Sequence, residues 1–256
     1  MKINLNIPQS WNELNQKQFE RIALLFSTAE PSFIRDIKLL KILVDAKWWQ
    51  LKKKANFRLF LKQVPYCIYN EEDKEKYEGW KHFIDFLLKE NNRTNFIPLI
   101  KVGKKTYFAP ADRIQNLDAE EFAVADDLHI RFRETQNPEY LQYLFHVLYS
   151  ETEERKPFDK NKLEKQINKK VPMATLVITE MTYFGCKNYI ANKFKKAFPK
   201  STKKETGTRK GFGKVIQAMA KGDLSKLPII ERTNIYKFMQ QFQDDIEEYN
   251  KQKIKK

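Results

Sequence analysis

Glu120, Glu121, Asp126, Asp127 and Glu134 crowd into one short stretch, with Arg131 and Arg133 among them. Paired carboxylates are what metal-assisted phosphodiester hydrolysis requires, so Asp126-Asp127 raises the possibility of a bound divalent ion and nuclease chemistry. Adjacent residues on a helix, however, point about 100° apart. An i,i+4 ion pair of Asp127 with Arg131 accounts for these charges more simply. Histidine ligands on one helix usually stand three or four residues apart; His82, His129 and His146 do not. No H-E-x-x-H, paired C-x-x-C or EF-hand loop occurs, so no metal site is expected. Cys186 follows Gly185 and precedes Lys187. A neighbouring lysine favours a thiolate, but a buried cysteine beside a small residue at a close helix crossing is the simpler expectation. No G-x-S-x-G elbow is present.

Only seven glycines stand among the 256 residues, where average usage would give about 18. None forms the Gly-rich turn whose backbone amides cradle a phosphate. The residues therefore point to no catalytic group and no cofactor, and we expect a protein that is not an enzyme.

The positive signal is charge. Net charge is +15, a balance that favours anionic partners. Residues 187–214 hold ten Lys or Arg and one acid, Glu205. Tyr189, Phe194, Phe198 and Phe212 are interleaved. Such a mixture can hold phosphates and stack on bases, although the aromatics keep a helical spacing that core packing also explains. Lys195, Lys196, Lys203, Lys204, Arg209 and Lys210 are the anion-facing candidates. No helix-turn-helix, zinc finger or RNP-type motif accompanies them.

The elements that must position these residues are mostly helical. Ile3, Leu5 and Ile7 alternate with polar residues and predict a short N-terminal strand ended by Pro8. Asn15 and Gln18 form a capping box ahead of Phe19, Ile22, Ala23 and Phe26. Ile34, Ile37, Leu40, Leu43 and Val44 share the face of a second helix, and Trp48, Leu51, Leu59 and Leu61 suggest a third. Trp80, Phe83, Ile84, Leu87 and Leu88 restore the helical period. Residues 96–108 then change to alternation about Gly103-Lys104, which predicts a β-hairpin. Asp118 and Glu121 make a second capping box, and Asn137-Pro138 separates its helix from one carrying Leu141, Leu144, Phe145 and Leu148. A short helix is expected at about 160–169. A long one should run from Pro172 to about Phe198, with Pro199 stopping it. After a lysine-rich stretch, Phe212, Val215, Ile216 and Met219 define a helix closed by Gly222. A last helix begins near Glu231. The expected fold class is mainly α: a multi-helix body over 1–199 with a short N-terminal strand and one β-hairpin near 96–108, a basic linker at 200–208, and a small helical C-terminal unit over 209–256.

Two distant cysteines, Cys67 and Cys186, suit a reducing compartment. Residues 1–7 lack the continuous apolar region of a signal peptide. The most apolar stretch, 171–186, contains Glu180 and is too short to span a bilayer. A cytoplasmic protein without a membrane partner is expected.

Several motifs in order resemble an uncharacterised family of Bacteroidota phage and prophage proteins encoded among tail-morphogenesis genes. They are Ile7-Pro8-Gln9-Ser10-Trp11-Asn12-Glu13-Leu14 with Gln18-Phe19, and Ile37-Lys38-Leu39-Leu40. Next come Phe132-Arg133-Glu134-Thr135 with Tyr140-Leu141, and Tyr183-Phe184-Gly185-Cys186 with Phe198-Pro199. The last is Ala220-Lys221-Gly222-Asp223-Leu224-Ser225-Lys226. Leu224-Ser225 stands where the family has Val-Thr, and the region around 66–78 is extended. The resemblance implies a tail-assembly or tail- or connector-associated structural protein working by protein–protein contact. Its partners would be other tail or connector proteins, with a homo-oligomeric ring and DNA contact both open. It would act in the host cytoplasm during assembly and, as a structural component, in the virion. The competing expectation is a basic nucleic-acid-binding accessory protein of a phage or mobile element. A metal-dependent nuclease stands third.

Overall fold

The computed structural model of the chain describes residues 7–26, 28, 32–44, 83–159, 161, 163, 170–198 and 211–254. The chain folds as two compact units, Met1–Arg93 and Thr94–Lys256.

In the first unit, α1 (Gln16–Phe26) and α2 (Ser32–Val44) pack on each other, and α3 (Asp85–Leu88) follows. The capping box at the start of α1 forms as the sequence predicts. The Gln18 amide donates to Asn15 Oδ1 at 2.9 Å, and the Asn15 amide to Gln18 Oε1 at 3.1 Å. Gln18 then reaches further: its Nε2 donates to the Leu43 carbonyl at the end of α2, 2.9 Å away. Trp11 is buried, edge-on to Phe19, and its Nε1 donates to the Phe86 carbonyl at 2.9 Å. Arg93 lies over the Phe19 ring at 4.1 Å and donates to the Trp11 carbonyl at 2.7 Å. A buried guanidinium is tolerated here because carbonyls and a π face replace water.

The second unit opens with the antiparallel hairpin of β1 (Leu99–Val102) and β2 (Lys105–Phe108), Val102 pairing Lys105 across the turn. Gly103 sits at φ +61°, the left-handed conformation the turn needs. Phe108 and Ser150 exchange backbone hydrogen bonds of 2.7 and 2.9 Å, fastening the hairpin to the end of a later helix. The helices are α4 (Ala119–Thr135), α5 (Glu139–Leu148), α6 (Met173–Lys193), α7 (Phe212–Met219), α8 (Leu227–Glu231) and α9 (Ile235–Ile254). Asp118 and Glu121 close both arms of their capping box on α4, and Gln136 ends that helix in the left-handed region. α4 packs against α5 and α7, and α5 against α6. Their buried faces meet in an aromatic core: Phe122 lies edge-on to Phe212 at 4.9 Å, and Phe212 edge-on to Phe238 at 5.3 Å. Burying each such ring stabilises the fold by about 1.5–3 kcal/mol.

The chain is therefore mainly helical with one two-stranded antiparallel hairpin among its described residues. Several elements differ from expectation. α6 ends at Lys193 rather than near Phe198, because Phe194 leaves helical dihedrals and buries its ring against Tyr236, 6.0 Å away. Tertiary packing stops this helix before Pro199 is reached. The last helix begins at Ile235 rather than near Glu231, where Asn234 caps α9 by accepting from the Tyr236 amide at 3.1 Å, and the short α8 stands before it. Helices α7–α9 belong to the unit that begins at Thr94, where the sequence suggests a boundary at 200–208. That basic linker, the N-terminal strand at Ile3–Ile7 (all but Ile7) and the helix suggested around Trp48 lie outside the described residues. So does nearly all of the helix suggested at 160–169.

Candidate contact surface

Two members of the acidic cluster, Glu121 and Asp126, are paired inside the second unit. Glu121 uses one oxygen for the Asp118 amide at 3.1 Å and the other for Arg155 Nη2 at 2.5 Å. Arg155 also donates to the carbonyls of Leu148 at 2.6 Å and Val147 at 3.0 Å, so it holds the loop after α5 in place. Asp126 is ion-paired with Lys187 of α6. Glu180 of α6 accepts from His129 Nε2 and pairs with Arg133 Nε, both at 3.0 Å. Asp126 and Asp127 diverge as helical geometry demands: the first faces α6, while the second lies so close to Gly211 that a Cβ added there would collide with its Oδ1. The anticipated Asp127–Arg131 ion pair is not made. Burial, then the charge of Asp126, raises the Asp127 carboxyl above its usual range, while Arg131 and Lys187 oppose the rise.

Cys186 is fully buried, with its Sγ 3.5 Å from the Thr94 carbonyl. Burial pushes its thiol well up, and a thiol kept protonated is a poor nucleophile. Among the described residues no group of three His, Cys, Asp or Glu is placed to hold a metal ion. No described helix is long and apolar enough to cross a membrane.

Of the six basic candidates, Lys195 and Lys196 are exposed just beyond α6. Lys196 is engaged, its Nζ 2.5 Å from Glu247 on α9, and this hydrogen bond holds the Glu247 carboxyl below its ordinary range. Lys203, Lys204, Arg209 and Lys210 lie outside the described residues. A groove of about 840 Å³ opens where Arg133 stands 5.2 Å above the Phe184 ring, with His129 stacked on the same ring. Glu180 already takes Arg133 Nε and His129 Nε2, while His129 Nδ1 is buried without a hydrogen-bond partner.

The two most exposed large apolar side chains among the described residues lie five positions apart, on either side of Lys226. Leu224 is 76% exposed and Ile229 72% exposed. They stand on the 3-10 turn Leu224–Lys226 and on α8. The corner is built tightly. Lys221 and Gly222 take successive positive φ values of 51° and 85°, reversing the chain after α7. Asp223 Oδ1 then accepts from the Ser225 amide at 3.1 Å and hydroxyl at 2.6 Å, and Asp223 Oδ2 pairs with Lys226 at 3.1 Å. Pro228 enters the first turn of α8, where its missing N–H costs nothing. A corner held by polar caps thus projects two large aliphatic side chains into solvent, with Lys221, Lys226 and Arg232 exposed beside them.

The sequence singled out none of these aliphatics as exposed and did not foresee Arg155, Glu180 or Lys187 as partners of the acidic cluster. Glu180 within an apolar helix was the available clue, since a charge in such a stretch needs a buried partner. No protein-family model, curated protein or solved structure matches the chain.

Proposed function

We propose that this protein acts without catalysis, through protein–protein contact, as a phage tail-assembly or tail- or connector-associated structural protein. The observation that carries the contact role is the fixed corner bearing exposed Leu224 and Ile229. Exposed apolar patches rimmed by polar residues mark interaction sites, and Leu224 and Ile229 stand on one turn-and-helix corner among Lys221, Lys226 and Arg232. The buried carboxylates support the same reading, because Glu121, Asp126 and Glu180 each have a cationic partner within the fold. The tail setting rests on the sequence resemblance, and the net charge of +15 suits an acidic neighbouring protein.

The test is quantitative mass spectrometry of purified particles and of tail intermediates from infected or induced cells. A stoichiometry matching a symmetric ring in particles supports the structural role. Presence on intermediates alone supports the assembly role. Absence from both overturns the proposal. So does DNA binding in its place that weakens by about 10³–10⁵ between 50 and 200 mM salt, which would make the chain a nucleic-acid-binding accessory protein.

A further inference from the structure

The 3-10 turn Asp112–Ile114, ahead of α4, carries an unusual backbone. Arg113 and Ile114 stand at φ +59° and +53°, successive left-handed residues without a glycine. A side chain makes that conformation costly, and a β-branched one most of all. Ile114 is fully buried and anchors the turn. Two hydrogen bonds hold it further: the Arg113 amide donates to the Thr94 carbonyl at 2.9 Å, and Tyr236 Oη donates to the Arg113 carbonyl at 2.8 Å. What the strained turn presents is an exposed guanidinium. It lies over the Tyr189 ring at 4.7 Å and donates from Nη1 to the Tyr189 hydroxyl at 3.3 Å.

A second cation is presented in the same way. Lys193, one helical turn beyond Tyr189 on α6, holds its Nζ 4.9 Å from the Tyr236 ring centroid and 5.6 Å from that of Phe194. Tyr236 therefore joins the two cations, touching the Arg113 backbone with its hydroxyl and Lys193 with its ring. Stacking on rings fixes where both charges sit without neutralising either. Among the described residues neither Arg113 nor Lys193 pairs with a carboxylate. Asp112 is the acid beside Arg113 in sequence, and Glu247 of α9 is taken by Lys196. Lys195 adds a further exposed charge past the end of α6.

We infer that the face of Arg113, Tyr189, Lys193 and Tyr236 docks an acidic segment of a partner protein, whose Asp or Glu carboxylates pair with the guanidinium and the ammonium. Arg113 offers the remaining N–H groups of a planar fork, which match a carboxylate bidentately. Single-stranded nucleic acid leans instead on base stacking, and a base here would have to displace cations that already lie over these rings. None of the four side chains belongs to the Leu224–Ile229 corner, and the inference does not rest on the tail setting.

The probe is a fluorescent deca-glutamate peptide, with deca-thymidylate as the nucleic-acid comparison, read by anisotropy on the full chain. Because the whole protein is basic, a second pair of neutralised cations serves as control: Lys101→Gln with Lys104→Gln, both exposed on the hairpin. Arg113→Gln with Lys193→Gln should weaken the peptide about tenfold, and the hairpin pair less than about twofold. Arg113→Lys keeps the charge but loses the fork, and should cost about threefold. Arg113→Gly suits the left-handed backbone, so it should melt close to wild type and still lose the peptide, which separates contact from folding. Equal losses from the two pairs, no saturable peptide binding, or full affinity in Arg113→Gly would each overturn the inference. So would deca-thymidylate binding as tightly as the peptide with the same dependence on Arg113 and Lys193, which would make this a phosphate-binding face.

Discussion

His146 packs between the rings of Tyr107 and Phe145, with centroids 5.6 and 5.3 Å away. Burial pulls its pKa down to about 4, with Glu151 opposing and Lys105 reinforcing the fall. An unfolded imidazole titrates near 6.5. As pH drops from about 6.5 to 4, the unfolded chain takes up a proton that the folded chain refuses, so stability falls through that window and is fully present above it. Asp118 acts in the opposite sense. Burial holds its carboxyl up at about 6 against the hydrogen bond from the Glu121 amide, so acidification through that pKa favours the fold. Comparing wild type with His146→Phe cancels the Asp118 contribution. Urea unfolding should show wild type losing on the order of 2 kcal/mol relative to the variant between about pH 7 and pH 4. Parallel pH profiles for the two proteins would show that the imidazole is not held neutral.

At the level of elements, α4 and α6 are joined by ions as well as by rings. Lys187 and Asp126 are both largely buried, and Glu180 ties α6 to His129 and Arg133 of α4. Removing one partner of a buried pair strands the other charge, which costs about 3–5 kcal/mol, whereas replacing both by groups of similar shape is often near neutral. Lys187→Met should therefore lower stability by about 3 kcal/mol or more. Lys187→Met combined with Asp126→Leu should recover most of that loss in a double-mutant cycle. If the single variant unfolds at the same denaturant concentration as wild type, the pair contributes little to joining the helices. The caps of these elements were legible because each is written within four residues: Asn15 with Gln18, Asp118 with Glu121, Gly103 in the hairpin turn. The end of α6 was not, since Phe194 breaks the helix to meet Tyr236, a residue far along the chain.

Across the whole molecule, surplus positive charge coexists with a hydrogen-bonded corner that exposes Leu224 and Ile229. Leu224 and Ile229 make no core for this chain, so replacing both by Glu should leave its melting temperature nearly unchanged, as surface substitutions usually shift stability by no more than about 0.5 kcal/mol. On the proposed assembly role, incorporation into particles or tail intermediates should fall sharply, because two carboxylates would replace the exposed aliphatics and repel the acidic neighbour that this role invokes. Normal incorporation of the double variant would place the contact on another face. Lys195→Glu with Lys196→Glu offers the comparison for the basic patch. Lys196 already neutralises Glu247, so its charge is partly spent within the fold.

Local chemistry was readable in the linear chain: helical periodicity, two capping boxes, a hairpin turn and a strongly basic balance follow from near neighbours and from composition. Which acid meets which base, which cation lies over which ring and which aliphatics remain uncovered depend on residues brought together from distant positions. Asp126 finds Lys187, and Glu121 finds Arg155, only once the helices pack. A buried charge selects its partner by proximity in space, and no periodicity along the chain encodes that choice.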